Sequence, residues 1–226
     1  MNKKKPTVSI LYMTLGILFC VCLIAANVLE TKQITVGPFE LTAGVIVFPV
    51  SYIINDCLVE VWGFARARTV IWLGFIMNFL FVIFGFIADL LPGAEYWHGQ
   101  EGFHIVFGLA PRITLASFIA FLAGSFMNAY VMSRMKYSQK GKYFSFRAIA
   151  STIAGESIDS IIFFPLALGG VVPSKTLPIL MLSQVLLKTL YEIVILPVTI
   201  RVVKLAKKYE DMDVYDDKTM YHIFRF

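Results

Sequence analysis

The sequence predicts an all-α integral membrane protein built as a bundle of six transmembrane helices. Three observations carry this. Of 226 residues, 58% are hydrophobic and only 15% are charged, with a mean hydropathy of +0.75; soluble domains carry about a quarter charged residues and need them to cover their surface. The apolar residues fall into six runs, roughly 8–29, 41–62, 69–91, 108–132, 147–171 and 177–203, each long enough to cross the hydrocarbon layer as a helix. The basic residues gather on alternate connections between those runs.

The runs are continuous rather than alternating, which excludes barrel strands and leaves helices as the way to satisfy backbone groups in lipid. The first run follows Lys3, Lys4 and Lys5 and is longer than the core of a signal peptide, so it is expected to stay as an uncleaved first helix. Arg66 and Arg68 lie between the second and third runs. Arg134, Lys136, Lys140, Lys142 and Arg147 lie between the fourth and fifth, and Arg201, Lys204, Lys207 and Lys208 close the sixth. The other connections hold only Lys32 and Lys175. By the positive-inside rule, both termini are expected in the cytoplasm of a bacterial inner membrane. The net charge of +5 therefore reports topology rather than nucleic-acid binding.

The chain reads as a single transmembrane domain, residues 1–226. The longest outer connection, about 92–107, includes Tyr96 and Trp97, suited to the membrane interface. The tail after Lys208 reads as a short extension. Cys20, Cys22 and Cys57 sit in apolar runs without metal or redox spacing, and His98, His104 and His222 form no ligand pattern, so no metal or cofactor is expected. Nucleophile-elbow, zinc-protease and phosphate-loop motifs are missing, which argues against an enzyme.

Polar groups inside the runs carry the functional signal, since a charge at mid-bilayer costs several kcal/mol. Asp56 and Glu60 are four apart and share a helix face; Glu156 and Asp159 are three apart and share another. Gln184, Lys188 and Glu192 recur at four-residue steps in the sixth run, and Arg112, Ala116, Ala120, Gly124 and Asn128 do so in the fourth. Small residues in such a series let helices approach closely. Lys188 and Glu192 also have the spacing of a self-neutralising intrahelical pair. Pro49 and Pro165 are expected inside the second and fifth helices as kinks. Acids outnumber bases at depth, so the excess is protonated, balanced by loop cations, or matched by a cationic or donor-rich ligand. The last two describe a transporter site.

Asn27 and Lys32, then Phe48-Pro49-Val50-Ser51-Tyr52-Ile53-Ile54-Asn55-Asp56-Cys57-Leu58-Val59-Glu60-Val61-Trp62-Gly63-Phe64 and Arg68, resemble the queuosine precursor transporter family, also called the vitamin uptake transporter family. Trp62 stands where the family has tyrosine. Arg112, Ala116, Ser117, Arg147, Ser151, Glu156, Asp159 and Phe163 extend the likeness over nearly the whole chain, with Glu156 where glutamine is commoner. The resemblance implies uptake of 7-deazaguanines (preQ0, preQ1 or queuine) and a fold similar to the substrate-binding subunits of energy-coupling-factor transporters, without their energising module.

A deazaguanine offers a ring N–H and an exocyclic NH2 side by side, which one carboxylate accepts as a bidentate pair; the amine of preQ1 suits a second. Asp56, Glu60, Glu156 and Asp159 are the expected base-recognising acids. Asn55 and Gln184 are candidates for the ring carbonyl, Tyr52 and Phe163 for stacking, and Arg112 and Lys188 for the same cavity. Other readings stay open: a substrate-binding subunit for another vitamin working with a separate ATPase module, an intramembrane enzyme using its buried carboxylates, or a scaffold. An energising partner and homo-oligomerisation are left undetermined.

Overall fold

The computed structural model describes residues 8–29, 31–36, 39–108, 111–170, 175 and 177–216. Six helices are long and apolar enough to cross a membrane. These are α1 (Ile10–Leu29), α2 (Phe48–Trp62, preceded by a 3-10 turn at Ala43–Ile46), α3 (Phe64–Leu90), α5 (Pro111–Ser138), α6 (Phe144–Leu168) and α7 (Leu177–Glu210). A short helix, α4 (Gln100–Phe107), lies in the long connection before α5. At the same end of the bundle, β1 (Gln33–Val36) and β2 (Phe39–Thr42) pair as an antiparallel hairpin between α1 and α2.

The polarity of the bundle is inverted relative to a water-soluble protein. Ile179, Leu182, Leu186, Leu190, Ile193 and Val194 of α7 are exposed, as are Phe84, Ile87 and Leu90 of α3. Asn55, Asp56, Glu60, Asn128, Arg147, Glu156 and Glu192 are buried. An apolar outer surface on this scale needs lipid around it, and the chain is a multi-pass membrane protein.

α2 is the hub. It packs on α1, α3, α5 and α7, and Ile54 to Gly63 are buried without a break. Phe19 and Leu23 of α1, Ile71 of α3 and Met132 of α5 complete the apolar core with Leu58 and Val59. α5 and α6 share the most extensive interface. There, a Cβ added to Gly124 would lie 2.9 Å from the Gly155 carbonyl, and one added to Gly155 would lie 2.9 Å from the Gly124 carbonyl. Only glycine permits that backbone-to-backbone approach.

Three details differ from the sequence reading. Pro49 falls in the first turn of α2 rather than inside it, where its missing N–H costs nothing; Pro165 does lie within α6. The connection read as loop contains α4, whose Phe103 and Phe107 rings stack 4.5 Å apart, with Phe107 5.8 Å from Phe81 of α3. Gln100 donates to Asp89 at 3.2 Å, and His104 Nδ1 lies 2.6 Å from its other carboxylate oxygen. The tail after α7 is no loose extension. Met212 to Asp216 fold back over the end where the basic connections gather, with Val214 N–H donating to Val61 C=O at 3.2 Å.

That strap meets the break between α2 and α3. Gly63 has φ +82° and ψ 170°, a region reserved for glycine. An added Cβ would also lie 2.8 Å from Asp216 Oδ1. Asp216 accepts hydrogen bonds from Phe64 N–H at 2.8 Å and from the Ser133 hydroxyl. Gly63→Ala is expected to cost about 1–3 kcal/mol from backbone strain, read as a lower apparent melting temperature in detergent; an unchanged value would show that the break tolerates a side chain.

Candidate functional site

Buried charges form a column along the inner faces of α2, α5, α6 and α7, and they arrive there by helical spacing. On α2, Tyr52, Asp56 and Glu60 follow at four-residue steps. On α5, the small-residue series continues at the same step through Asn128 and Met132 to Lys136, all buried.

At the basic end, Glu60 is the centre of an ion cluster. Arg147 donates to both of its carboxylate oxygens, at 2.5 and 3.0 Å. Lys207 donates to Oε1 at 2.6 Å, and Lys136 lies 3.9 Å from the same oxygen while donating to the Glu60 carbonyl at 2.5 Å. Arg147 and Lys136 are 0% and 2% exposed, so residues expected to act as topology signals in a loop are interior. Their signal was present, since Lys136 extends the α5 series by two steps. Asp213 of the strap bridges Lys136 at 2.5 Å and Lys207 at 2.9 Å, and the Tyr215 ring lies 4.7 Å from the Lys136 ammonium. Burial disfavours the Asp213 charge, but hydrogen bonds from Lys136 and Lys207 outweigh it and hold the carboxyl below its ordinary value.

Nearer the middle of the bundle lies a second cluster. Lys188 of α7 reaches across to α6, with its ammonium 2.7 Å from Glu156 Oε2 and 3.9 Å from Asp159 Oδ2. The intrahelical alternative, Lys188 with Glu192, is not what forms. Tyr52 lies over the Gly124–Gly155 crossing, its hydroxyl 3.0 Å from where a Gly124 Cβ would stand, beside Glu156. Lys188 and Asp159 each keep a little over a tenth of their side chain exposed, so this cluster touches the surface of the bundle. Between the two clusters sit Asp56 and Glu192, both buried.

The structure thus brings Tyr52, Glu156, Asp159 and Lys188 together. Phe163 is half-buried one turn beyond Asp159 and packs edge-on against Phe164, with ring centroids 5.4 Å apart. Asn55 is turned toward α5, donating to Asn128 Oδ1 at 2.9 Å and to Ser125 C=O at 3.2 Å. Gln184 is exposed and stands outside the cluster. The Arg112 side chain lies outside the described residues. A hollow of about 730 Å³ opens between α1 and α7 at the basic end, lined by Ile10, Leu11, Leu15, Val202, Leu205 and Tyr209 among others; none of the column's acids lines it. No group of His, Cys, Asp and Glu suited to a metal ion occurs among the described residues.

The family model described as "Putative vitamin uptake transporter" matches residues 42–202, which hold both clusters except the Lys207 and Asp213 contributions. The chain belongs to that family. It is a family of transporters, not of enzymes. The chain is 27% identical over 177 residues to a protein named "Probable queuosine precursor transporter" from Bacillus subtilis (strain 168), covering 77% of this chain and 76% of the relative. It is 27% identical over 146 residues to the "Queuosine precursor transporter" of Escherichia coli (strain K12), covering 63% and 62%. A "Probable queuosine precursor transporter" from Haemophilus influenzae is 26% identical over 129 residues, covering 57% and 52%. No solved structure matches, so the likeness to energy-coupling-factor subunits rests on the sequence resemblance alone.

Two outcomes follow from the Glu60 cluster. Glu60→Gln leaves three cations facing a neutral group, and breaking a buried pair typically costs about 3–5 kcal/mol; the apparent melting temperature in detergent is expected to fall, and no fall would mean the cations are satisfied without Glu60. Because the folded Asp213 carboxyl is held below its ordinary value, its contribution is present above the normal aspartate range of about pH 3.9 and is lost as pH falls through the lower folded value. Pepsin should therefore cut the strap only in strongly acidic medium, and Asp213→Asn should be cut at milder pH. Identical cleavage of both proteins would remove Asp213 as the latch.

Proposed function

We propose that this protein carries queuosine precursors, 7-deazaguanines such as preQ0, preQ1 or queuine, inward across the bacterial inner membrane, with both termini in the cytoplasm. The observation that carries this reading is the Glu156–Lys188–Asp159 cluster. It brings two carboxylates and one ammonium together within the bundle, next to an aromatic hydroxyl, in the family whose relatives bear queuosine precursor names.

The chemistry supports it. With both acids ionised the cluster has one negative charge left over, which suits the amine of preQ1. Either carboxylate, once Lys188 swings aside, accepts the adjacent N–H and NH2 of the deazaguanine edge as a bidentate pair. Tyr52 and Phe163 supply flat faces for the ring. Lys188 thus acts as a placeholder, neutralising Glu156 while the bundle is closed and yielding it to cargo. Glu60, held by Arg147 and Lys207, takes the part of an inner closure rather than a base-binding group, and its distance along α2 from Tyr52, two helical turns, separates the two tasks. The basic connections on one face of the bundle support the cytoplasmic assignment of the termini.

Uptake in cells blocked in queuosine synthesis tests this, with queuosine in tRNA as readout. Labelled preQ0, preQ1 and queuine are supplied in turn. Wild-type protein is expected to restore queuosine, and Glu156→Gln and Asp159→Asn to abolish rescue by preQ1 and to weaken rescue by preQ0 while still inserting. Loss of one acid should harm preQ1 more than uncharged preQ0. Rescue by both variants at the wild-type level would overturn the site, and equal losses would remove the amine pairing.

A further inference from the structure

Asp56 and Glu192 are unlike every other acid in the column. Glu60 is answered by Arg147 and Lys207, and Glu156 and Asp159 by Lys188. No ion pair reaches Asp56 or Glu192 among the described residues. Asp56 is 0% exposed and neither of its carboxylate oxygens has a hydrogen-bond partner; Glu192 is 1% exposed and its Oε1 has none. They lie on α2 and α7, which pack together, each one helical turn from a residue of the mid-depth cluster, Tyr52 and Lys188 respectively.

A second observation points to something held here. Asn128 of α5 is fully buried, its amide nitrogen is unpartnered, and it stands beside Asp56 without the geometry of a normal hydrogen bond. Three buried groups therefore converge with unsatisfied valences. The groups that act on Asp56 are Glu192 from α7, most strongly, then Asn128 from α5, Glu60 from its own helix and Arg147 from α6, the last already spent on Glu60. α1 and α3, also packed on α2, contribute no charged side chain to that set. Two ionised carboxylates cannot persist side by side in hydrocarbon without a cation, and one bound proton is the smallest cation that answers them.

We propose that Asp56 and Glu192 form a proton-binding site, one proton held between the two carboxylates in this closed arrangement, distinct from the cargo cluster one turn away. The proton enters from the outer water when the outer end is open and leaves to the inner water when the Glu60 closure parts, so its descent drives accumulation of the cargo. No bond other than O–H is made or broken. This coupling role rests on the proposed transport; the proton site itself does not. It also takes Asp56 out of the base-recognising set expected from the sequence.

Infrared spectroscopy of the purified full chain in lipid nanodiscs decides the site without any cargo. At neutral pH the wild type is expected to show a protonated-carboxyl C=O band that disappears in alkaline medium. The isosteric double variant Asp56→Asn/Glu192→Gln should lose it, and Glu156→Gln should not. A band that survives the double variant overturns the site, as does a wild-type band that appears only when sodium is replaced by choline, which would assign the pair to a metal cation. In proteoliposomes, an inward proton gradient should drive accumulation of labelled preQ0 by wild type, and each single variant should lose that response. Accumulation by the variants equal to wild type overturns the coupling. If wild type moves no 7-deazaguanine in either direction, the functional reading fails and the infrared result still stands.

Discussion

A charge taken into hydrocarbon has to be answered by a neighbouring helix, and in this protein that requirement organises everything else. Glu60 of α2 cannot be buried unless α6 delivers Arg147 and α7 delivers Lys207, so a single carboxylate fixes the mutual height of three helices. Apolar contacts in lipid carry little information about register, because lipid tails are as apolar as the side chains they replace. Bidentate geometry does carry it. The 2.5 and 3.0 Å bonds from Arg147 define one rotation and one translation of α6 against α2.

From that anchor the remaining polar layers follow by helical arithmetic. One turn up α2 is Asp56, and two turns up is Tyr52. Glu192 and Lys188 sit at successive turns of α7. The Gly124–Gly155 crossing then brings α5 and α6 close enough for Tyr52 and Asp159 to share one small space. The buried acids cost desolvation individually, and for Glu60 and Glu156 the cations reaching across from other helices offset it.

The helices were legible in the sequence because the bilayer sets a length that a run of apolar residues either meets or does not. The candidate acids were legible for a related reason: Asp56 with Glu60, and Glu156 with Asp159, stand out against an apolar background and share a face by spacing alone. What answers each acid was not legible. Lys188 has an acid four residues away on its own helix, yet it pairs with two on α6, and only the packing of α6 on α7 decides between them. Arg147 and Lys136 were misplaced because basic residues near a helix end satisfy the topology rule equally well whether they face water or the interior. For Lys136 the four-residue series from Ala116 was a sufficient clue. The strap and α4 escaped because short polar segments lack the periodicity that marks a spanning helix.

The strap also bears on how the molecule is made. Residues 213–216 lie past every helix they touch, so the spans supply Lys136 and Lys207 but not the carboxylate that joins them. Without it, Lys136 of α5 and Lys207 of α7 have only Glu60 between them, and Arg147 already claims both of its oxygens. The last helix therefore depends on the segment behind it, for the charge balance at its basic end is completed by a carboxylate encoded a few residues past it.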